Sequence, residues 1–524
     1  MQTGNLLFLT GMLPTVGREA KFIGRIGAEL DVQTGRNAAY LAALNALAWI
    51  IHEVSSQKRK DALKGMMNTW VSAPGIPFRS IHRLIQSVLP QLTFSFYRHQ
   101  PICADFSGGQ ITSDAGLLPL RAFDQRHHLT CELAAQLNDP RQEDRVQHDA
   151  PTLLRQRIYQ IVAGYEDAND ADRLRHDPLL QIVADQKLGD ALGSQPTLSR
   201  WENAPSAREL VLLNDLLCSQ FIRICSDQVR RRGEILLDLD STDDPTHGQQ
   251  QLSFFNGAYG QHMYHPMLIF ERHSGCLLAA RLRPGNASSH ARIVPMLLRL
   301  VPRLQAAFPG VKIKLRGDAG FALPLLYQFC EFFQIEYALG IPANCVFRRR
   351  AEPRQKRLKR RYRRTQLPQR SFSSFRHRAR SWPRQRRICY KAEHSAAGTN
   401  LRFVITNCPG RASQVFAFYN DRGECENRIE EFKNGFRADR LSCHRFLANA
   451  FRLLLHAAAY NLVNFFRLQL PLPWRSAQIE TLRAQLFKIG ARVRQTARCI
   501  RFHLASGWPF QSLFRSATLA VNSS

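Results

Sequence analysis

The order in which hydrophobic runs change period between residues 233 and 342 constrains this chain more than any other feature. GEILLDLDST reads as a strand, and HMYHPMLIFE and GCLLAARLR as an antiparallel pair. ARIVPMLLRLVPRLQAAF repeats at helical spacing, and VKIKLRGD is again a strand. LPLLYQFCEFF then reads as a helix and EYALGIP as a fifth strand. Two aspartates stand at strand ends within this order: Asp240 on the first strand and Asp318 just after the fourth.

The same order is found in the RNase H-like fold, whose first acid lies on the first strand and whose second lies just after the fourth. Asp238 and Asp240 are two residues apart, so both point to one face of a strand. Two carboxylates buried among Leu236, Leu237 and Leu239 resist ionising unless a cation neutralises them. Asp240, at the strand end beside Ser241 and Thr242, is the candidate metal ligand, with Asp238 in reserve. Asp243 and Asp244 precede Pro245 and read as turn residues. Gly317 and Gly320 let the chain turn sharply around Asp318, which reads either as a turn or cap residue or as a metal ligand. His247, His262 and His265 lie in a turn and on a strand with no ligand spacing.

These acids belong to a chain of 524 residues with a formal net charge of +30 and a pI near 10.3. Such a balance favours a polyanionic partner, because Lys and Arg contacts to phosphates release counterions. Residues 348–387 alone hold eighteen Lys and Arg against one Glu, which is +17 of the +30. Tyr362, Phe372, Phe375 and Trp382 interleave with these arginines, a pattern suited to neutralising a phosphate backbone while stacking on bases. A charge run of this kind also reads as a solvated or disordered segment that orders on DNA. The twelve cysteines show no C-x-x-C pair or zinc-finger spacing, and no apolar run reaches membrane-spanning length. The expectation is a cytoplasmic protein that does not engage a membrane.

Upstream, LLPLRAFDQRH, PTLLRQRIYQIVAGYED and ARELVLLNDLLCSQFIRICSDQVRRR read as helices. Within GSQPTLSRWENAPS, Pro196 opens a short helix from which Thr197, Ser199 and Arg200 could reach DNA in helix-turn-helix fashion. Equally, Trp201 could pack in a core and leave the rest solvated. At the N-terminus, GNLLFLTG and AALNALA resemble the first half of the Rid/YjgF family of enamine-imine deaminases. The half of that fold supplying the substrate-binding arginine has no counterpart, so residues 1–52 are expected to be a non-catalytic fragment rather than a deaminase.

The most specific element is YNDRGECENRIEEFK, read within a long helical stretch from residue 414 to about 468. Tyr419, Arg422, Glu426 and Lys433 are spaced by three, four and seven, roughly 300°, 400° and 700° on a helix, so all four share a face. That face sets a metal ligand between cations that grip phosphates. Glu424, Glu430 and Glu431 are neighbouring acids, but Lys433 fits the spacing only if Glu426 is counted. This spacing, with DLDSTDDPTHG and LRGDAGF, resembles the Y-R-E-K signature of bacterial insertion-sequence DDE transposases over residues 95–510. The resemblance implies an α+β protein: an RNase H-like mixed-sheet catalytic core with an insertion before the last acid, preceded by a helical DNA-binding region.

The boundaries expected are a fragment over 1–52, a linker over 53–98, a helical DNA-binding region over 99–230 and the first part of the core over 231–345. A basic insertion over 346–410, the core helix with the last acid over 411–470 and a basic helical region over 471–524 follow. The resemblance further implies that Asp240, Asp318 and Glu426 hold two Mg²⁺ ions, replaceable by Mn²⁺. Tyr419, Arg422, Lys433, Arg200, Arg360, Arg361, Arg363, Arg364 and Trp382 would touch DNA. The implied partners are double-stranded DNA (terminal inverted repeats and a target) and a second protomer. The alternatives are a nuclease or resolvase of the same fold without strand transfer, and a non-catalytic DNA-binding derivative.

Overall fold

The computed structural model describes residues 92–523 apart from Arg98, Pro140 and 142–145, together with the backbone of two short strand pairs before residue 21. The Rid/YjgF-like reading and most of the expected linker lie outside the described residues. The chain forms two units, Met1–Ser107 and Gly108–Ser524. In the first, Leu92–Phe94 pairs antiparallel with Ile102–Ala104. The second carries every candidate site residue.

Its helices begin with α1 (Leu118–His127), α2 (Ala150–Ala163), α3 (Gln195–Glu202) and α4 (Ala207–Ile224). Local chemistry sets their ends. Asp149 caps α2 through the Thr152 amide, and Gly164 at φ 90° closes it in the left-handed conformation that side chains disfavour. Ser206 and Glu209 form a reciprocal capping box on α4.

Eight strands form one mixed sheet. The first five are β1 (Glu234–Ser241), β2 (Met267–Glu271), β3 (Leu277–Arg281), β4 (Lys312–Gly317) and β5 (Glu336–Ile341), with α5 (Ile293–Ala307) and α6 (Pro324–Phe332) as crossovers. They lie in the order β3-β2-β1-β4-β5. β2 runs antiparallel to β1, whereas β4 is parallel to both β1 and β5. This is the RNase H-like arrangement expected from the order of hydrophobic runs. β1 and β4 lie side by side inside the sheet; β1 carries the buried run Ile235–Leu237, whereas β4 alternates Ile313 and Leu315 with Lys312, Lys314 and Arg316.

The basic segment after β5 is ordered. Cys345–Thr365 is a helix, α7, in which Phe347, Ala351 and Leu358 are buried while Arg357, Arg360, Arg361, Arg363 and Arg364 are exposed. With Arg354, the buried positions follow steps of four, three and four, a narrow helical stripe hidden among arginines. Arg354 itself donates to the Ser371 hydroxyl and the Phe372 carbonyl. Three antiparallel strands follow: β6 (Gln369–His377), β7 (Arg386–Ser395) and β8 (Gly398–Thr406). β8 pairs with β5, so the segment extends the central sheet. Trp382 is correspondingly buried, with edge-on contacts to Tyr327 and His377 and the Arg386 guanidinium over its ring. As a base-stacking candidate it is corrected: the ring belongs to the core.

α8 (Ala412–Asn420), α9 (Gly423–Glu430) and α10 (Phe446–Arg467) complete the core. Among the described helices, α10 is long and apolar enough to cross a membrane, but 83% of that stretch is buried inside the fold. Asn461 of α10 accepts from the Leu277 amide and donates to its carbonyl, and Asn214 of α4 accepts from the Ala280 amide. These amides satisfy the edge of β3, which would otherwise present unpaired backbone. The C-terminal region is not all helical: Ala491–Gln495 pairs with Ile500–Leu504 and with Ile111–Thr112 before α11 (Gln511–Ser523).

Candidate active site

The parallel register of β1 and β4 sets Gly317 opposite Leu239. One position further on, at the carboxyl ends of the two central strands, stand Asp240 and Asp318. Asp240 accepts from the Ser241 amide at 2.9 Å and from Arg422 Nη1 at 2.7 Å. Burial pushes its carboxyl up to about 6; Arg422 opposes this, and the neighbouring Asp318 adds to it. Asp318 caps the short turn Ala319–Phe321 by accepting from the Gly320 amide at 2.9 Å. The cap uses one oxygen, so a cap and a metal ligand are compatible descriptions of the residue. Gly340 of β5 sits under this turn, where a Cβ would meet Tyr419 Oη at 2.7 Å and the Ala319 amide nitrogen at 2.8 Å.

Asp238 has a different fate from Asp240. Both its oxygens are taken by Arg316, Nε to Oδ1 at 2.6 Å and Nη2 to Oδ2 at 2.7 Å, and the pair is fully buried. Burial pushes the Asp238 carboxyl upward while the guanidinium fork pulls it back. Asp238 is thus locked with Arg316 in a fully buried row beneath the strand ends, which leaves Asp240, at the strand end beside Asp318, as the candidate ligand.

The segment carrying the last acid is not one continuous helix. It breaks at Asp421 and Arg422 and finishes in a π turn over Glu431–Gly435. Asp421 closes the first helix, its amide still on the Ala417 carbonyl and its carboxylate paired with Arg316 and Arg272, and Gly423, a weak helix former, opens the next. The break puts Arg422 between the acids: its second terminal nitrogen reaches Glu426 Oε1 at 3.2 Å. Burial works against the Arg422 charge, but Asp240, Tyr419 and Asp318 outweigh it and raise its pKa. Tyr419 is half-buried, and burial raises its pKa, with Asp318 and Asp240 contributing.

Lys433 lies within this π turn. The π turn inserts a residue, and Lys433 Nζ pairs with Asp243 Oδ1 at 2.8 Å. Asp243, read as a turn residue, also accepts from Gln261 at 3.0 Å; although burial opposes it, Lys433 holds the carboxyl below its ordinary range. Asp244 is not simply a turn residue either. It pairs with Tyr264 in a short strand and is buried, and its carboxyl oxygens have no hydrogen-bond partner among the described residues. Burial, with Asp439 adding to it, pushes it well above the carboxylate range. Glu424, Glu426 and Glu430 are all exposed on α9; Glu424 is paired with Arg272, Glu426 with Arg422, and Glu431, beyond the helix, with Arg467.

His265 is buried, bonded to the Ala287 carbonyl at 2.8 Å, and burial lowers its pKa. His262 is exposed on the strand Gln261–Tyr264, and His247 is exposed in its turn. Tyr259 was missed from the sequence. It stands edge-on to His265 at 5.7 Å, and burial, with Asp243, Asp240 and Asp318 adding to it, raises its pKa. Its signal is the FNGAYG hairpin turn. On α3, Arg200 is exposed, whereas Trp201 is buried edge-on against Phe451 at 5.0 Å. Buried Glu202 ties α3 to α2 and α10 through Arg157 at 2.7 Å and Arg452 at 2.6 Å.

Among the described residues no three His, Cys, Asp or Glu side chains converge in a metal cluster. The donor chemistry nevertheless suits a hard divalent cation. Two carboxylates stand at adjacent strand ends, burial disfavours the charge on Asp240, and Arg422 links Asp240 to Glu426.

A mixed sheet in RNase H-like order, with two aspartates at its central strand ends and an arginine-linked glutamate over them, defines a class of nucleic-acid-processing cores. Residues 94–524 match the family described as transposase DDE domain, group 1, and the chain belongs to this family. No curated protein matches the chain. Among solved structures, a piggyBac transposase synaptic complex with hairpin DNA is similar at 11% identity with a TM-score of 0.39, covering 76% of this chain and 82% of that one.

Proposed function

We propose that the protein is a DNA transposase that cleaves the ends of an insertion element and joins them to target DNA by phosphoryl transfer. The observation that carries this reading is the meeting of Asp240 and Asp318 at the ends of β1 and β4 under the Arg422–Glu426 pair. Asp240, Asp318 and Glu426 would hold two Mg²⁺ ions, or Mn²⁺ in their place. Bound there, divalent cations polarise the scissile phosphate and lower the pKa of the attacking oxygen. Water first attacks the phosphorus at the element end and releases a 3′-hydroxyl. That oxygen then attacks a target phosphodiester, so one phosphodiester forms as another breaks and no covalent enzyme intermediate is needed.

The remaining roles follow from charge and exposure. Arg422, released from Asp240 and Glu426, clamps a phosphate at the reacting position, with Tyr419 beside it and Lys433 at the rim. Arg360, Arg361, Arg363 and Arg364 on α7 hold duplex backbone, and Arg200 on α3 reaches the terminal repeat. Two protomers pair the two element ends. The test is cleavage of a duplex carrying the inverted repeat that brackets the gene, with Glu426→Gln as control. Cleavage lost and DNA binding kept in the variant is expected; unchanged cleavage would overturn the site assignment.

A further inference from the structure

Asp240, Asp318 and Glu426 reside on three separate segments, and one buried side chain on β4 reaches both β1 and the break that leads into the helix of Glu426. Arg316 is fully buried on β4, two residues before Asp318. It lies directly opposite Asp238 of β1, itself two residues before Asp240. The ion pair therefore fills the row of the sheet just beneath the two acids, on the same face. Its remaining terminal nitrogen, Nη1, leaves the sheet altogether. It donates to the Phe418 carbonyl at 2.8 Å and to Asp421 Oδ2 at 3.1 Å, at the break immediately before Arg422. The Phe418 ring lies 5.2 Å from the same guanidinium.

We infer that Arg316 is a positioning residue for the proposed reaction, registering the segment that carries Arg422 and Glu426 against the two strands that carry Asp240 and Asp318. A second clasp acts at the same break. Arg272, just after β2, pairs with Asp421 Oδ1 at 3.3 Å and Glu424 at 2.5 Å, and its carbonyl accepts from Arg428 at 2.8 Å. Stability alone gives little reason for this design, because apolar replacements of buried ion pairs are often neutral or better. A planar fork that serves a carboxylate, a carbonyl and a second carboxylate fixes geometry, and a lysine ammonium cannot reproduce it.

The inference rests on the proposed function and deepens it. Its test uses the full chain, a terminal-repeat duplex and single-turnover cleavage across a Mg²⁺ series, with duplex affinity and melting temperature measured in parallel. Arg316→Lys breaks the fork. Asp421→Ala, at an exposed position, removes the Arg316 and Arg272 contacts to the break before Arg422 together and decides the matter should Arg316→Lys fail to fold, with Arg272→Ala separating the second clasp from the first. For Asp421→Ala the expected loss of rate is roughly 10- to 100-fold, the scale of a misplaced catalytic group. The Mg²⁺ needed for half-maximal rate rises, duplex affinity and melting temperature hold, and Asp421→Asn, which keeps an acceptor, recovers part of the rate. Wild-type rate and Mg²⁺ dependence in Asp421→Ala would overturn the role, as would a rate loss that merely follows affinity or melting temperature. Glu426→Gln in the same assay separates the two levels: if it cleaves, the site assignment fails; if it is inactive while Asp421→Ala is normal, only the positioning role fails.

Discussion

Gly340→Ala tests how tightly the sheet sets the position of Asp318. A Cβ at residue 340 meets the Ala319 amide nitrogen at 2.8 Å and the Asp318 carbonyl carbon at 3.1 Å, both backbone atoms, besides the Tyr419 hydroxyl at 2.7 Å. Ordinary contact begins near 3.4 Å, so the turn bearing Asp318 must retreat by about 0.6 Å or β5 must yield. Overpacking of this kind costs about 1–3 kcal/mol. A displaced carboxylate should lower cleavage by roughly 10- to 100-fold, more than the reduced stability explains at a temperature where the protein stays folded. Gly490→Ala, where nothing lies within 4 Å, is the control. Single-turnover cleavage and thermal denaturation of both variants provide the readout. Gly340→Ala with wild-type rate and melting temperature would show that this close approach does not hold Asp318 in place.

Other outcomes follow from the same geometry. Asp238→Ala removes the buried partner of Arg316, leaving it only Asp421 and the Phe418 carbonyl, and should cost up to about 3–5 kcal/mol by urea unfolding, the range for breaking such pairs; a loss under about 1 kcal/mol would argue against the fork. Asp244 has its folded pKa raised, so its penalty is absent below the unfolded value and grows as pH rises through the interval toward the folded one. Asp244→Asn should therefore gain stability relative to wild type as pH rises above about 4, by at most about 1.4 kcal/mol per pH unit; a flat difference would place the carboxyl in a satisfied site. Replacing Arg360, Arg361, Arg363 and Arg364 by Ala should weaken duplex binding for all sequences alike. The slope of log affinity against log salt should become shallower by up to about 0.9 for each phosphate that is no longer neutralised, and an unchanged slope would move DNA away from α7.

How much was legible in the sequence varies with what hides each element. β1 through β5 were readable because apolar runs and glycine turns mark buried strands, and their order fixed the neighbourhood of Asp240 and Asp318. α7, β6 and β7 were not, because arginines mask a buried stripe at Phe347, Ala351 and Leu358 and a strand pairing along Phe372 and Phe375. Trp382 reads as a stacking residue among cations until Tyr327, His377 and Arg386 close around it. The break at Asp421 and Arg422 is met by Arg316 and Arg272, far away in sequence, and local helical spacing could not report those partners. The preference for Asp240 over Asp238 likewise required a partner on another strand.

The most direct test of the central claim is strand transfer: a labelled terminal-repeat duplex incubated with target plasmid, Mg²⁺ and the full chain. Covalently joined end–target products are predicted for the wild type and none for Glu426→Gln, which still binds the duplex. Hydrolysed ends without joined products would instead mark a nuclease, and joining by Glu426→Gln would contradict the active site itself.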